Sequence, residues 1–203
     1  MRTALAAALV YGLTGGLAPG PLMTLVLTQT LRHGAREGMK TSLAPLITDG
    51  PIIVLLLLFL DRIAAIRPLL GGIAIAGVAF LLYLARESWS APPPSAAETE
   101  AAPRSLLRGA LVNFLNPSPY LFWLTVGTPM LLKAWRHSAL AAALFIVVFF
   151  VSLVGSKMAL ALLLARSRDR VLGRWYRPAM RTLAVLLIVF AVIVARDAVR
   201  LLA

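Results

Sequence analysis

Two ionisable residues, Asp49 and Lys157, stand inside long apolar stretches of this sequence. A charged side chain at the centre of a membrane helix costs about 2.5 to 3.5 kcal/mol on insertion scales, so each needs a partner. With a rise of about 1.5 Å per residue, their depths should differ by roughly 6 Å, which a lysine side chain can span. The sequence therefore predicts that they act together. They form either a static salt bridge or a pair in which Lys157 neutralises Asp49 in one state, while Asp49 holds a proton or a cationic group in another.

Two amides, Asn113 and Asn116, lie three residues apart in the fourth apolar run. On a helix this spacing places both side chains on one face. Either they present their amides to a bound small molecule, or they form hydrogen bonds with another helix. The sequence leaves both interpretations open.

Two proline pairs interrupt apolar runs at an offset of 98 residues: Pro19-Gly20-Pro21 and Pro117-Ser118-Pro119. Proline has no backbone N–H, so these residues leave four carbonyls without their helical donors. The carbonyls are those of Gly15, Leu17, Asn113 and Leu115. In lipid, broken backbone is tolerated only where it faces protein or a wet cavity, so the breaks predict a site near the middle of the membrane. The alternative is that the prolines only kink two helices.

The predicted site therefore has two parts. The residues expected to bind a ligand or couple transport to an ion are Asp49, Lys157, Asn113 and Asn116. The residues expected to line it at the helix breaks are Gly15, Pro19, Gly20, Pro21, Pro117, Ser118 and Pro119.

The elements that hold these residues are expected to be membrane helices. Hydrophobic residues make up 60% of the 203 residues and charged residues only 14%, and the mean hydropathy is +0.87. Apolar runs of roughly 18 to 25 residues, long enough to cross a bilayer, recur along the chain. They cover residues 4–28, 43–60, 68–85, 106–132, 138–165 and 182–195. Because the runs are continuous rather than alternating, helices are favoured over a barrel. The sequence predicts an all-α integral membrane protein with about six transmembrane helices.

The first run could instead be a cleaved signal peptide with residues 16–18 as the cleavage site, but Pro19 would then follow the cut. The apolar stretch also continues past that point, so a membrane span is the preferred interpretation.

The two halves of the chain are expected to be related. The proline pairs occupy matching positions in residues 1–89 and 105–203, and a Pro-, Ala- and Ser-rich segment at residues 90–104 reads as a flexible linker. Each half has three predicted spans, an odd number, so the second would insert upside down relative to the first. This arrangement is an inverted repeat, in which broken helices meet near mid-membrane.

The net charge of +12 would suggest nucleic-acid binding in a soluble protein, but here the basic residues lie between spans. The first, third and fifth loops hold 12 of them: Arg32, Arg36, Lys40, Arg86, Arg104, Arg108, Arg166, Arg168, Arg170, Arg174, Arg177 and Arg181. The opposite side holds 7: Arg2, Arg62, Arg67, Lys133, Arg136, Arg196 and Arg200. The positive-inside rule then places these three loops in the cytoplasm and both termini outside it. No nucleic-acid partner is expected.

Small residues and missing residue types indicate how the helices can pack and which ligand sites the chain can form. Gly12, Gly16 and Gly20 form a stripe that allows close helix packing, either within one subunit or in a homodimer. The chain has no cysteine, and its two histidines, His33 and His137, fall in loops on opposite sides. No metal site and no cofactor are expected.

With these motifs in place, the sequence resembles the lysine exporter (LysE) superfamily, which includes the RhtB-type homoserine and threonine exporters. The resemblance rests on Pro19-Gly20-Pro21, the basic turn Gly34-Ala35-Arg36-Glu37-Gly38, the acid Asp49, and Gly109 followed by Asn116-Pro117. It implies efflux of amino acids across the cytoplasmic membrane in exchange for protons, without ATP.

The sequence departs from this family around the expected site. Thr48 stands where a glycine is common, Leu22 where a polar residue often follows Pro-Gly-Pro, and Ser118 where a lysine is usual. The resemblance therefore does not fix the substrate among basic amino acids, neutral amino acids and other small metabolites. The alternatives from other classes are an intramembrane enzyme and a structural membrane subunit. No nucleophile, zinc or nucleotide motif supports an enzyme.

Overall fold

The computed structural model describes residues 2–58, 63–91, 104–167 and 175–202. Within these ranges every regular element is a helix, which confirms the all-α prediction. Most of the predicted linker at residues 90–104 lies outside the described residues.

The chain forms ten α-helices and one short π-helix in these ranges. In chain order they are α1 (Arg2–Leu17), α2 (Pro21–His33), α3 (Ala35–Ser42), α4 (Ala44–Leu58), α5 (Ile63–Trp89), α6 (Ser105–Phe114), α7 (Pro117–Phe122), a π-helix (Trp123–Gly127), α8 (Thr128–His137), α9 (Ala139–Arg166) and α10 (Tyr176–Leu202). Four helical segments are long and apolar enough to cross a membrane: Ala35–Leu58, Pro68–Trp89, Ala139–Arg166 and Tyr176–Leu202.

The first predicted span is bent at its proline pair. Segments Thr3–Leu17 and Pro21–His33 meet at 58°, and counting them as one span gives up to five spans among the described residues. Gly20 has an extended backbone (φ −172°, ψ 175°), and Pro21 opens α2, where its missing N–H is not needed. At its other end α2 stops at Gly34, whose φ of 90° suits glycine, and the Gly34 N–H caps the Thr30 carbonyl at 2.9 Å.

The fourth predicted run, residues 106–132, is not one continuous helix. It is divided after Phe114, and Asn116 caps the short α7 with an extended backbone (φ −93°, ψ 126°) before Pro117. A π-helix then separates α7 from α8. Apolar length alone predicted a single span here, but the second proline pair removes the backbone donors that a continuous helix needs. The predicted count of six spans is accordingly not confirmed.

Long helices pair across the two halves of the chain. Helix α5 packs along α10, and α1 packs along α9. At the second interface an added Cβ on Gly12 would lie 2.6 Å from the Phe149 carbonyl oxygen and 2.7 Å from the Ser152 Cβ. Gly16 is equally close to the backbone of Leu153. The glycine stripe therefore serves packing within the subunit at these two positions.

A cluster of charged residues joins the helix ends next to the linker. Glu87 on α5 accepts hydrogen bonds from Arg32 on α2 at 2.6 Å and from Arg108 on α6 at 2.7 Å. Nearby, the Arg181 guanidinium of α10 lies 5.4 Å from the centre of the Trp89 ring. These contacts bring the segments around the first, third and fifth predicted loops to one face of the bundle, as the charge pattern requires.

We expect Gly12→Ala to lower the thermal stability of the purified protein in detergent, because its methyl group must displace backbone of α9. Gly155→Ala is the matched control: it lies on α9 with nothing within 4 Å of an added Cβ. Replacing a helical glycine at an open position normally stabilises by about 0.5 to 1 kcal/mol. Equal melting temperatures for the two variants would contradict the assigned α1–α9 interface.

Candidate functional site

A cavity of about 410 Å³ lies between the two helix breaks. Ten of the eleven predicted site residues line it: Gly15, Pro19, Gly20, Pro21, Asp49, Asn113, Asn116, Ser118, Pro119 and Lys157. The exception is Pro117, which is buried at the start of α7 and does not line the cavity. The structure therefore brings together residues that are up to 142 positions apart.

The Asp49 carboxylate is surrounded by hydrogen-bond donors. Its Oδ1 accepts from Asn113 Nδ2 at 2.8 Å and from the Thr48 hydroxyl at 3.3 Å, and its Oδ2 accepts from Trp123 Nε1 at 3.0 Å. The side chain is only 4% exposed. Neutral donors thus compensate much of the cost of placing this charge among apolar helices.

Trp123 is a site residue that sequence reasoning missed. It is fully buried at the start of the π-helix, where its ring also makes an edge contact with Phe149 at 5.1 Å between centroids. Gly127 makes room for this ring, since an added Cβ would lie 2.8 to 2.9 Å from two ring atoms. Because tryptophans are common in membrane helices, its residue type alone did not mark it as a site residue. The one indication in the sequence was its position four residues after Pro119, one helical turn beyond the break.

The Lys157 ammonium binds backbone at the first break. Its Nζ donates to the carbonyl oxygens of Gly15 at 3.1 Å and Gly16 at 3.0 Å. The first of these is a carbonyl that the prolines were predicted to free; the second loses its partner because the chain turns away before Gly20. These carbonyls form the C-terminal end of α1, where the helix dipole is negative and favours a cation.

No salt bridge joins Asp49 to Lys157 within the part of the chain that the structure describes. Each charge instead has neutral partners: three side-chain donors for Asp49 and two carbonyls for Lys157. The static salt bridge, one of the two interpretations that the sequence left open, is therefore not formed in this conformation. Depth alone suggested it, whereas each charge is compensated by the nearest helix break.

Asn113 and Asn116 have different structural roles. Asn113 links helices, because its Nδ2 donates to both Asp49 Oδ1 and the Thr48 hydroxyl, the latter at 2.6 Å. Asn116 caps α7: its Oδ1 accepts from the Ser118 N–H at 3.1 Å. The Nδ2 of Asn116 has no hydrogen-bond partner among the described residues, although this side chain is only 8% exposed and lines the cavity.

The remaining cavity wall is mostly apolar. Aromatic rings of Tyr11, Phe122, Phe149 and Phe190 contribute to it, together with aliphatic side chains. Phe122 and Phe149 stack at 5.3 Å between centroids, which fixes one side of the wall.

Three polar residues of α2 lie outside the cavity. The hydroxyls of Thr24 and Thr28 donate to the carbonyls of Gly20 and Thr24, at 3.0 and 2.9 Å. Such bonding within their own helix is common for hydroxyls in membrane helices and leaves these side chains no role in the cavity. Gln29 is fully buried, accepts from Ser105 at 3.2 Å, and has no partner for its Nε2 within the described ranges.

The described ranges form an all-helical bundle with helices of membrane length. One buried acid and one buried base line a cavity between its broken helices. These features define a multi-pass membrane protein with a polar site inside the bundle. A family model described as LysE type translocator matches residues 13–198. The chemotactic transduction protein ChpE of Pseudomonas aeruginosa is 28% identical over 130 residues, which cover 61% of this chain. The chain spans 63% of the length of ChpE. No solved structure matches the chain.

The protein belongs to the LysE type translocator family, since the family match covers nearly the whole chain. The resemblance noted from the proline pairs, the basic turn and Asp49 is confirmed. A translocator family is one of transporters rather than enzymes, so the prediction that the protein is not an enzyme is also confirmed.

We expect Lys157→Met to lower thermal stability clearly, because methionine fills similar volume but leaves the Gly15 and Gly16 carbonyls without a donor. An unsatisfied buried group costs about 1 to 3 kcal/mol, and Gly16 is buried. Lys133→Met, at an exposed position on α8, is the matched control and should leave the melting temperature nearly unchanged. A Lys157→Met protein as stable as the control would argue against the capping role.

Proposed function

We propose that this protein is a secondary active transporter that exports an amino acid or a similar small metabolite across the cytoplasmic membrane in exchange for protons. The observation that carries the proposal is the cavity between two broken helices, lined by one acid and one base. Transporters commonly bind substrate at such breaks, where backbone and buried charges are reachable from water. The family assignment supplies transport as the general activity.

We further propose that the bundle is an inverted repeat of residues 1–89 and 105–203. The packing supports this interpretation. Helices α5 and α10, each the last of its half, pack on one another, which is compatible with a two-fold relation between the halves. Under this relation, the packing of α1 on α9 corresponds to the packing of α6 on α3 and α4. In each case the first part of a broken helix packs on the second span of the other half.

Asp49 and Lys157 lie on corresponding spans under this relation. Asp49 lies on the second span of the first half and binds Asn113 at the break of the second half. Lys157 lies on the second span of the second half and binds the break of the first half. Each break is therefore held by an ionisable residue of the opposite half.

This arrangement suggests how proton binding is coupled to movement. A proton on Asp49 removes the negative charge that accepts hydrogen bonds from Asn113 and Trp123. It also adds an O–H donor next to these N–H donors, so at least one of the hydrogen bonds weakens. The affected contacts join α4 to the second helix break. Protonation thereby favours a different arrangement of the break, which is the differential interaction that coupling requires.

Alternating access also requires a closure that opens in another state. The Glu87 cluster with Arg32 and Arg108 ties α2, α5 and α6 together on the linker side, and none of its members lines the cavity. We propose that it closes this side in this conformation. Opening toward the linker side would separate the helices that Glu87 joins.

We expect Asp49→Asn to fold but to lose the component of export that depends on a pH gradient. Asparagine preserves the shape of the side chain but does not carry the proton. The measurement is flux from proteoliposomes with and without an imposed pH gradient. Asp197→Asn, on α10 and outside the cavity, is the matched control. Gradient-dependent flux of wild-type size in Asp49→Asn would exclude the coupling role.

For orientation, we propose that the linker face is cytoplasmic and both termini are extracytoplasmic, because the more basic loops belong to that face. Alkaline phosphatase fused after Leu202 should then be active in cells, and green fluorescent protein at the same position should not fluoresce. The opposite pattern would reverse the orientation without affecting the fold.

A further inference from the structure

We infer that the cavity is built for a neutral α-amino acid with an apolar side chain, bound as a zwitterion. This inference rests on the proposed function, since it names the substrate class of the same cavity. It is carried by the number of charges in the cavity, by the hydrogen-bonding capacity they have left, and by the nature of the remaining wall.

The charges that line the cavity sum to zero. Among its lining residues Asp49 is the one acid and Lys157 the one base. A zwitterion brings one ammonium and one carboxylate, so each group meets an opposite charge. A ligand with net charge would add a buried charge that the described wall does not compensate, which is costly in a region of low dielectric constant.

Both charged residues keep unused hydrogen-bonding capacity toward the cavity. A lysine ammonium has three N–H donors, and two of those on Lys157 bind Gly15 and Gly16. The Oδ2 of Asp49 accepts one hydrogen bond, from Trp123, although a carboxylate oxygen accepts two. One donor therefore remains for a substrate carboxylate and one acceptor for a substrate ammonium.

The Asn116 amide adds a second donor for the carboxylate. Its oxygen is committed to the Ser118 N–H, which fixes the orientation of the amide, and its Nδ2 has no partner among the described residues. A buried amide N–H₂ without a partner is costly unless a ligand or water binds it. Lys157 and Asn116 thus offer a carboxylate two donors, the first bound to one helix break and the second part of the other.

The rest of the wall suits an apolar side chain. Rings of Tyr11, Phe122, Phe149 and Phe190 lie beside the aliphatic side chains of Leu153, Ile193 and Val194. Such a wall has no further charge for a basic or acidic side chain. It would hold a branched or aromatic substrate side chain by excluding water from both surfaces.

The experiment is uptake of labelled amino acids into proteoliposomes loaded with unlabelled amino acids, with leucine, phenylalanine, serine, lysine and glutamate compared at equal concentration. We expect leucine and phenylalanine to be transported at least about tenfold faster than lysine and glutamate, since one uncompensated charge costs more than the interaction energy that corresponds to this factor. Leucinamide, which lacks the carboxylate, and 4-methylpentanoate, which lacks the ammonium, should compete poorly with leucine.

Asn116→Asp tests the site itself. Aspartate keeps the oxygen that caps α7 but replaces the free amide with a negative charge, so the charge of the cavity changes from zero to −1. We expect leucine uptake to fall about tenfold, through the lost donor and repulsion of the carboxylate, and the ratio of lysine to leucine uptake to rise. An unchanged ratio in a folded variant would overturn the assignment of Asn116.

The outcomes separate the two levels of the proposal. Uptake that prefers lysine or glutamate in the wild-type protein would overturn the inferred substrate class and leave the transport function standing. Absence of uptake for every amino acid in the panel, with correctly oriented protein, would overturn the proposed amino-acid transport and the inferred class together.

Discussion

The structure depends on one constraint, which is that backbone groups exposed at a helix break must find partners where water is scarce. Two proline pairs create such breaks at the centre of the bundle, and the surrounding side chains supply partners for them. Lys157 binds the Gly15 and Gly16 carbonyls of the first break. At the second break the Tyr120 hydroxyl binds the Phe114 carbonyl at 2.9 Å, and Asn116 caps the next helix. Because each unsatisfied group costs several kcal/mol in lipid, these contacts determine which helices must lie next to the breaks.

The same constraint explains why the cavity contains both charges. A cation is favoured at the carbonyl end of α1, so Lys157 places α9 beside the first break, and the glycines of α1 allow the close packing that this contact needs. Asp49 receives donors from Asn113 and Trp123, on either side of the second break, and so places α4 beside it. Under the proposed function, the charges that stabilise the breaks are also the charges that a substrate would meet. Asp49, Lys157 and the asparagines that partner the broken backbone also line the cavity.

Much of this site could be predicted from residue types and spacing. Proline has a fixed effect on a helix, and a buried charge has a large cost, so both proline pairs, Asp49, Lys157 and the two asparagines could be identified without coordinates. The partners could not. Lys157 contacts Gly15 and Gly16, which lie 142 and 141 positions away in the sequence. Hydropathy carries no information about such a contact. Trp123 escaped notice because a buried tryptophan and a lipid-facing one look alike in sequence, and its π-helix depends on local packing. Apolar length also shows one continuous run where the chain forms α6, α7, a π-helix and α8; the prolines predicted the break before α7 but not the π-helix after it.

Side-chain caps differ from backbone hydrogen bonds in one respect that matters for transport. A helical hydrogen bond can be exchanged only by unwinding neighbouring turns, whereas a lysine or an asparagine can move to a new partner by rotating its side chain. The Lys157 ammonium can therefore keep one carbonyl while it binds a carboxylate, and Asp49 can accept an ammonium while Trp123 stays in place. If substrate replaces part of the capping interaction, its binding energy acts directly on the position of the broken helices. Under the proposed function, a site built from helix caps would link occupancy to helix movement through the contacts themselves, without a separate relay between the site and the moving elements.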